Sequence, residues 1–211
     1  IGVYADLDAS VYLAAGGVAA ASSSAVGATV STLVLQNIVL ALIDSQAQLV
    51  ARALPAGGQG ISLPNRSEKR KGILIHAGAR ETMMLASVSG SAAGSAAISG
   101  VVNTLVAKND VRAQVKEGAL LKAGLTAQGA AELGGGAQAT QGEILVSAED
   151  ETEAINFAGG LAAGSSAGVG ATVVVLVYDK TVEASIGGQG STRATGNITV
   201  SADALDDLYL T

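Results

Sequence analysis

The most apolar segment of the chain occurs three times, which indicates that the sequence is built from repeats. Residues 168–178 read Gly-Val-Gly-Ala-Thr, then five consecutive Val and Leu residues, then Tyr178. Residues 25–34 repeat this pattern 143 positions earlier, and residues 98–106 form a weaker copy between the two. Such recurrence predicts a stacked array, because each repeat can bury its apolar face only against its neighbours. We expect the segment at 168–178 to be the longest buried strand of its repeat.

A short stretch of alternating apolar and polar residues marks the start of each repeat. It begins at Ile1, Ile73, Ile144 and Ile198, which are 72, 71 and 54 residues apart. Alternation with a period of two predicts a strand with one buried face. The spacing divides the chain into a first repeat (1–72), a second repeat (73–143), a third repeat (144–197) and the start of a fourth (198–211).

Each apolar segment ends at a polar pair and continues as an alternating run. The pairs favour a turn, and the runs predict a shorter strand with an apolar inner face and a polar outer face. In the first repeat Leu40 and Leu42 occupy the outer positions, so that this face would need a cover. The pairs are Gln36-Asn37, Lys108-Asn109 and Asp179-Lys180, and the runs are residues 39–43, 111–115 and 182–186.

Two conformations are open for the linkers at residues 6–17 and 149–160. Apolar residues from Leu7 to Val18 have the spacing of one helical face, and acidic residues at the linker start favour a helix dipole. Glycine pairs near the end of both linkers oppose a helix, because each glycine costs about 1 kcal/mol inside one. We therefore expect either one short helix per repeat or an extended linker.

The connection that closes each repeat varies in length. It is long at residues 53–71 and 122–141, and it shrinks to residues 187–196 in the third repeat. Length variation at a single point of the frame places these insertions in surface loops on one side of the array.

These elements predict a mainly β protein, an elongated right-handed parallel β-solenoid (β-helix) of three repeats, with or without one short helix per repeat. An antiparallel β meander that turns at Asp179-Lys180 is the alternative fold. The end repeats of a solenoid expose open strand edges. We therefore expect neighbouring repeats to be the main partners of each repeat, and we expect copies of the chain to associate end to end into filaments.

Composition narrows the classes of partner. The chain has 211 residues and a net charge of −6, and this net acidity argues against nucleic-acid binding, which needs clustered cations. Aromatic residues are 2% of the chain, so the core must be thin, with backbones close together. Uncharged stretches at 11–43, 86–107 and 157–178 are long enough to span a membrane. They share a repeat frame with polar strands, however, and we expect no membrane insertion.

Few side chains offer catalytic or metal-binding chemistry. His76 is the only histidine, which excludes a two-histidine metal motif and leaves one candidate for a Ser-His-acid arrangement. Its outward position in a short strand predicts an ordinary surface residue. The acidic run Glu149-Asp150-Glu151 with Glu153 offers oxygen ligands for Ca²⁺, but its spacing matches no calcium loop. A solvated linker or the start of a helix is the favoured interpretation.

The glycine-rich and basic segments are also explained without a ligand. Residues 57–60 and 187–190 both read Gly-Gly-Gln-Gly but lack the Lys-Ser/Thr of a phosphate-binding loop, which favours flexible loops. The basic cluster from Arg66 to Lys71 contains Glu68 and no aromatic residue, as a solvated loop would. We therefore predict no catalytic, cofactor-binding or metal-binding residues, no cofactor and no enzymatic activity.

The repeat frame resembles that of large leukotoxin-type, haemagglutinin-like filamentous adhesins of Gram-negative bacteria. The resemblance spans essentially the whole chain and is clearest in the third repeat. It rests on Gly-Val-Gly-Ala-Thr-Val at 168–173, Thr-Val-Glu-Ala-Ser-Ile at 181–186 and Gly-Asn-Ile-Thr-Val-Ser-Ala at 196–202. It implies a β-solenoid shaft without catalytic residues. It also implies an extracellular location at the cell surface, associated with the outer membrane.

Two functions follow as expectations. The first is a structural shaft segment that holds an adhesive region away from the cell. The second is a binding module, in which the insertions at 53–71 and 122–141 contact a host or partner-cell ligand. Because the sequence starts at Ile1 without a signal peptide, we expect it to be a segment of something longer.

Overall fold

Extended strands form most of the protein. The computed structural model describes residues 1–52, 60–63, 69–133 and 139–211. Six of its strands contain 20 or more residues, far above the usual length of about 5–6. The elements are β1 (Gly2–Ala21), β2 (Ser24–Ile43), β3 (Gln48–Ala51), β4 (Ile61–Ser62), β5 (Lys69–Arg70), β6 (Gly72–Ala93), β7 (Ala96–Val115), β8 (Leu120–Ala123), α1 (Ala127–Leu133), β9 (Glu143–Gly164), β10 (Ala167–Ile186), β11 (Ser191–Ala194) and β12 (Ile198–Leu210).

The strands form three parallel sheets. The front sheet has the order β1-β6-β9-β12, the back sheet β10-β7-β2, and the short sheet β11-β8-β3. Strands β4 and β5 form a separate antiparallel pair within the first insertion. Every pairing in the three main sheets is parallel, so the predicted mainly β, parallel architecture is confirmed and the antiparallel meander is wrong.

The register of these sheets follows the sequence repeat. In the front sheet Tyr4 lies opposite His76, His76 opposite Ser147, and Ser147 opposite Ser201. Equivalent residues of successive repeats are therefore neighbours across each ladder. This register places identical or similar side chains in continuous rows that cross the sheets from one repeat to the next.

Both linkers are extended, which is the second of the two conformations expected for them. Strand β1 continues through the linker at 6–17, and β9 continues through the linker at 149–160. Strands of neighbouring repeats form ladder hydrogen bonds along one side of β1 and along both sides of β9, which removes the advantage of a local helix. Within the described residues the single helix is α1, and it lies in the second insertion. No helix in the described ranges is long and apolar enough to cross a membrane.

The predicted turns at the polar pairs are also wrong. Residues 36–37, 108–109 and 179–180 lie inside the uninterrupted strands β2, β7 and β10. One residue of each pair faces the interior and the other faces outwards, as strand geometry requires. The chain instead reverses between the front and back strands at residues 22–23, 94–95 and 165–166, which are Ser-Ser, Gly-Ser and Ser-Ser.

The front and back sheets pack face to face, and their separation changes along the strands. Near the short sheet, the core contains the larger side chains of Ile73, Ile75, Leu121 and Val146. Towards the reversals the interior holds mainly glycine, alanine and serine. A Cβ on Gly27 would lie 2.5 Å from the carbonyl oxygen of Gly90 on the opposite sheet. The backbones therefore approach closely there, as the composition predicts.

The first insertion lies over the outer face of the front sheet. Leu63 packs on Leu74 of β6 and Leu145 of β9, and all three side chains are buried. The insertion does not supply the cover predicted for β2, since Leu40 remains 45% exposed. In the second insertion, Leu125 and Thr140 form an antiparallel bridge that encloses α1.

Candidate functional site

A buried layer of polar side chains crosses the core at the level of the polar pairs 36–37, 108–109 and 179–180. Glu81 on β6 is 1% exposed and faces the back sheet. One of its carboxylate oxygens accepts a hydrogen bond from Nδ2 of Asn37, and the other accepts one from Nδ2 of Asn109 at 2.7 Å. Asn37 and Asn109 are equivalent residues of the first two repeats. The two amides thus provide partners for a carboxylate that has left water, which reduces the cost of burying it.

The same layer becomes an ion-pair cluster in the third repeat. Lys180 replaces the asparagines, and its Nζ lies 2.9 Å from Oδ1 of Asp150 and 2.6 Å from Oγ1 of Thr152. It also forms an ion pair with Asp206. The Asp150 side chain has 0% exposure. Lys180 is therefore the cation that compensates a fully buried carboxylate.

Tyr178 lies beside this cluster on β10. The Lys180 ammonium is 5.8 Å from the centre of the Tyr178 ring. The phenol oxygen is buried without a hydrogen-bond partner among the described residues. Desolvation raises the pKa of Tyr178 well above its ordinary value, and the negative charges of Asp206, Glu81 and Asp150 raise it further.

His76 is buried, and its prediction as an ordinary surface residue is wrong. It is 4% exposed, although its side chain lies on the outer face of the front sheet. The preceding outward row, Leu74 and Leu145, is also buried and is covered by Leu63 of the first insertion. The strand pattern correctly predicts the direction of the side chain. It cannot predict the burial, because the cover over the adjacent row of Leu74 and Leu145 comes from a segment outside the repeat frame.

Three neighbouring strands bring a histidine, a serine and an aspartate together. Nδ1 of His76 is 2.9 Å from Oγ of Ser147, and Nε2 is 3.5 Å from Oδ1 of Asp6. Burial raises the pKa of Asp6, the charge of His76 lowers it and that of Glu149 raises it. Ser147 is 1% exposed, so that a substrate cannot reach its hydroxyl in this arrangement. The geometry supports a hydrogen-bonded cross-link between repeats.

Strand alternation divides the acidic run that offered calcium ligands. Asp150 points into the core, whereas Glu149, Glu151 and Glu153 point outwards from β9. Glu151 forms a hydrogen-bonded ion pair with Arg80 at 2.6 Å. The described residues contain no group of three or more His, Cys, Asp or Glu side chains placed to hold a metal ion. The run is therefore part of a strand with two different faces, and the predicted solvated linker or helix start is wrong.

The glycine-rich and basic segments have roles in packing where the structure describes them. A Cβ on Gly187 would lie 2.6 Å from the backbone nitrogen of Glu117, and one on Gly190 would lie 2.1 Å from the carbonyl oxygen of Ala119. These glycines allow a turn to stack directly on the preceding repeat. Arg70 of the basic cluster pairs with Glu143 at 3.2 Å. Residues 57–59, Arg66 and Glu68 lie outside the described residues.

The opening apolar segment is not buried on both sides. In β10, Val173, Val175 and Val177 point outwards from the back sheet and are 52%, 39% and 45% exposed. On the inward side, Leu176 and Tyr178 are partly buried and pack against the core. The expectation of a buried strand is therefore wrong, because none of the described residues covers the outer face of the back sheet here.

Sequence reasoning missed the polar layer although a signal was present. Glu81 has the same inward phase as Ala79 and Met83, and Asn37, Asn109 and Lys180 occupy equivalent inward positions in three repeats. A polar residue that recurs at an inward phase of a strand indicates a buried layer. A scan of protein-family models and searches of curated proteins and of solved structures gave no match to this chain.

Proposed function

We propose that the chain is a structural shaft segment of a large, secreted or surface-anchored filamentous adhesin. In this proposal the three sheets belong to a right-handed parallel β-solenoid, and the segment holds an adhesive region away from the cell. The strand register carries the proposal. In the first three repeats each front, back and short strand pairs in parallel with its equivalent one repeat later, at an offset of 71 or 72 residues. Strand β12 continues the front sheet beside β9 at an offset of 54 residues. Such an array can be extended by further repeats without any new kind of contact.

The geometry gives the proposed shaft defined dimensions. Neighbouring parallel strands are about 4.8 Å apart, so each repeat of roughly 70 residues would lengthen the shaft by only about 5 Å. Strands of 20 residues would make it about 65 Å wide. The shaft would be a broad, thin ribbon in which every repeat is held by two long ladders, as suits an element that must resist pulling.

The length of tandem arrays tests this proposal. Chains that carry two, four and eight copies of residues 73–143 between the native end repeats would be measured by small-angle scattering and electron microscopy. The shaft proposal expects one dimension to grow by about 5 Å per copy. Growth of about 25–30 Å per copy, as for separate globules of this size, would contradict it.

A binding module is the second candidate function. The first insertion has its own antiparallel pair β4–β5, and the second has helix α1, so that both have local structure outside the main sheets. In this alternative they contact a host or partner-cell ligand at the cell surface. Glycan and protein arrays would be probed with the chain and with a variant in which 53–71 and 122–141 are shortened. Binding that is lost on shortening favours the module, and no binding by either chain favours the shaft.

A further inference from the structure

The outer face of the back sheet is an apolar surface formed by five rows, here called the valine face. Each row contains one residue from β2, one from β7 and one from β10. Ile98 and Val102, on the central strand, are 52% and 37% exposed. Since β7 has a neighbour on both sides, this exposure is not an effect of a sheet edge. The rows are Val26–Ile98–Val169, Ala28–Gly100–Ala171, Val30–Val102–Val173, Thr32–Thr104–Val175 and Val34–Val106–Val177.

The valine face has the relief of a surface that can interdigitate with a copy of itself. Its first, third and fifth rows contain only Val and Ile and form ridges. The second row, Ala28–Gly100–Ala171, forms a groove between two ridges. The fourth row, Thr32–Thr104–Val175, is about as bulky as its neighbours, so the face has one groove. Two such faces can pack at about 10 Å, with a ridge of each sheet in the groove of the other.

Polar groups frame the valine face at both ends. The row Gln36–Lys108–Asp179 borders it on one side, and Lys108 and Asp179 form an ion pair at 3.9 Å. The serine-containing reversals at 22–23, 94–95 and 165–166 border it on the other. No residue in the five rows is charged. An apolar centre with a polar rim is typical of protein–protein interfaces.

We propose that the valine face packs face to face against the valine face of a second copy of this chain. Fifteen outward positions at about 32 Å² each cover roughly 500 Å² of sheet, and two faces bury about 1,000 Å² together. This area is at the lower limit for a stable interface, so three repeats form a weak dimer. Each further repeat enlarges the interface, and longer chains bind more tightly. Only the description of the assembly as a lateral bundle of shafts rests on the proposed function.

A second copy fits the valine face better than a lipid bilayer does. The strands β2 and β10 are the edges of the back sheet and have one unpaired side each. Unpaired backbone groups of an open sheet are costly in hydrocarbon. In a face-to-face dimer the same edges stay in water, where solvent satisfies them.

Sedimentation equilibrium of the whole chain over a wide concentration range tests the dimer. Val102→Lys places a charge at the centre of the face, and Gly100→Leu fills the groove. The nearest atom to a Cβ at Gly100 is 3.9 Å away, so that the fold accepts the second variant. Val102→Lys would bury an unpaired ammonium, and Gly100→Leu would keep the partner's ridge out of the groove. Both should therefore weaken the dimer at least about tenfold. Gln114→Lys, on the same face of β7 beyond the polar row, is the matched control and should change the Kd less than twofold.

Several outcomes would overturn the inference. A chain that stays monomeric at millimolar concentration has no such interface. A dimer that is unaffected by Val102→Lys and Gly100→Leu, in variants with unchanged circular dichroism, uses the open strand edges instead. Binding to phosphatidylcholine vesicles by a monomeric chain, lost in both variants, would assign the face to lipid. The tandem-array experiment tests the shaft proposal independently of the dimer, because a shaft can lengthen repeat by repeat without lateral contacts between copies.

Discussion

At the scale of single residues, the polar layer specifies how the repeats stack. Glu81 and Asp150 are buried carboxylates whose partners come from the opposite sheet. A slip of two residues along either sheet would place Glu81 opposite apolar side chains and leave its charge without hydrogen bonds. Burial of ion pairs contributes little net stability, but loss of one partner is costly. The layer therefore acts mainly on register.

Loss of the Lys180 ammonium should be far more costly than loss of an exposed one. Lys180→Met would leave the fully buried Asp150 carboxylate without its cation, and we expect a loss of about 3–5 kcal/mol in the free energy of unfolding. Lys108→Met removes the exposed pair with Asp179 and should cost less than about 1 kcal/mol. Urea unfolding of the two variants measures both values. Equal losses would show that the buried pair has no special role.

Tyr178 should make the protein sensitive to alkaline pH. Its pKa is raised in the folded state above the ordinary value of 10.0, so the unfolded chain releases the phenol proton first as the pH rises. This contribution to stability is complete below about pH 10 and is lost as the pH rises above it. Because an ordinary tyrosine titrates near pH 10, Tyr178→Phe should make the melting temperature fall less steeply between about pH 9 and pH 12. Tyr12→Phe, at a side chain 65% exposed, is the control, and an equal effect there would contradict the assignment.

One turn position adopts the left-handed conformation in all three repeats. It is occupied by Gln46 (φ 62°), Gly118 (φ 80°) and Gln189 (φ 56°). This conformation costs a non-glycine residue about 1–2 kcal/mol, and glycine loses more entropy on folding. Gln46→Gly should therefore raise the free energy of unfolding by about 0.5 kcal/mol. Gln48→Gly, two residues later in β3, should lower it, and chemical denaturation that shows the same sign for both variants would refute the argument.

At the scale of the elements, the alternation predicts the strand starts, their parallel pairing and the repeat length. It fails where a local rule competes with stacking. The glycine pair at 16–17 opposes a helix locally, and the polar pair at 36–37 favours a turn locally. Both pairs nevertheless lie inside long strands. The reason is that the neighbouring repeat pairs with β1 and β2 along their whole length, on one side of each strand. His76 and the valine face were missed for a related reason, since cover and exposure depend on segments far away in sequence.

Glycine at the inner face of the long strands sets the distance between the sheets. A Cβ at Gly27 would meet the Gly90 carbonyl oxygen at 2.5 Å, and backbone of a paired sheet cannot move aside easily. Gly27→Ala should lower the free energy of unfolding by about 1–3 kcal/mol through overpacking. Gly100 lies in the same back sheet but faces outwards, and a Cβ there would be 3.9 Å from the carbonyl oxygen of Ala171. Gly100→Ala should therefore be neutral or stabilising. Thermal unfolding compares the two, and a harmless Gly27→Ala would mean that the sheets separate readily.

At the scale of the whole molecule, stability should depend on contacts between adjacent repeats, and the last strand provides a test. Strand β9 alternates its backbone donors between its two neighbours. The amide of Glu143 donates to Lys71 on the β6 side, whereas those of Ile144 and Ala158 donate to Asn197 and Thr211 on the β12 side. The even-numbered amides of β9 thus depend on β12 and the odd-numbered ones on β6.

Removal of residues 198–211 should therefore expose every second amide of β9 to exchange. We expect the even-numbered amides at 146–156 to exchange at least about 100-fold faster in the shortened chain, since each loses its acceptor, while the odd-numbered amides at 147–155 keep theirs. Residue-resolved hydrogen exchange by NMR measures both sets. The amides of β7 are the internal control, because β7 lies in the back sheet and does not pair with β12. Faster exchange of both sets would mean that the third repeat unfolds as a unit when β12 is absent. A change that extends to β7 would contradict nearest-neighbour stability, and with it the idea that repeats can be added or removed without disturbing the rest of the array.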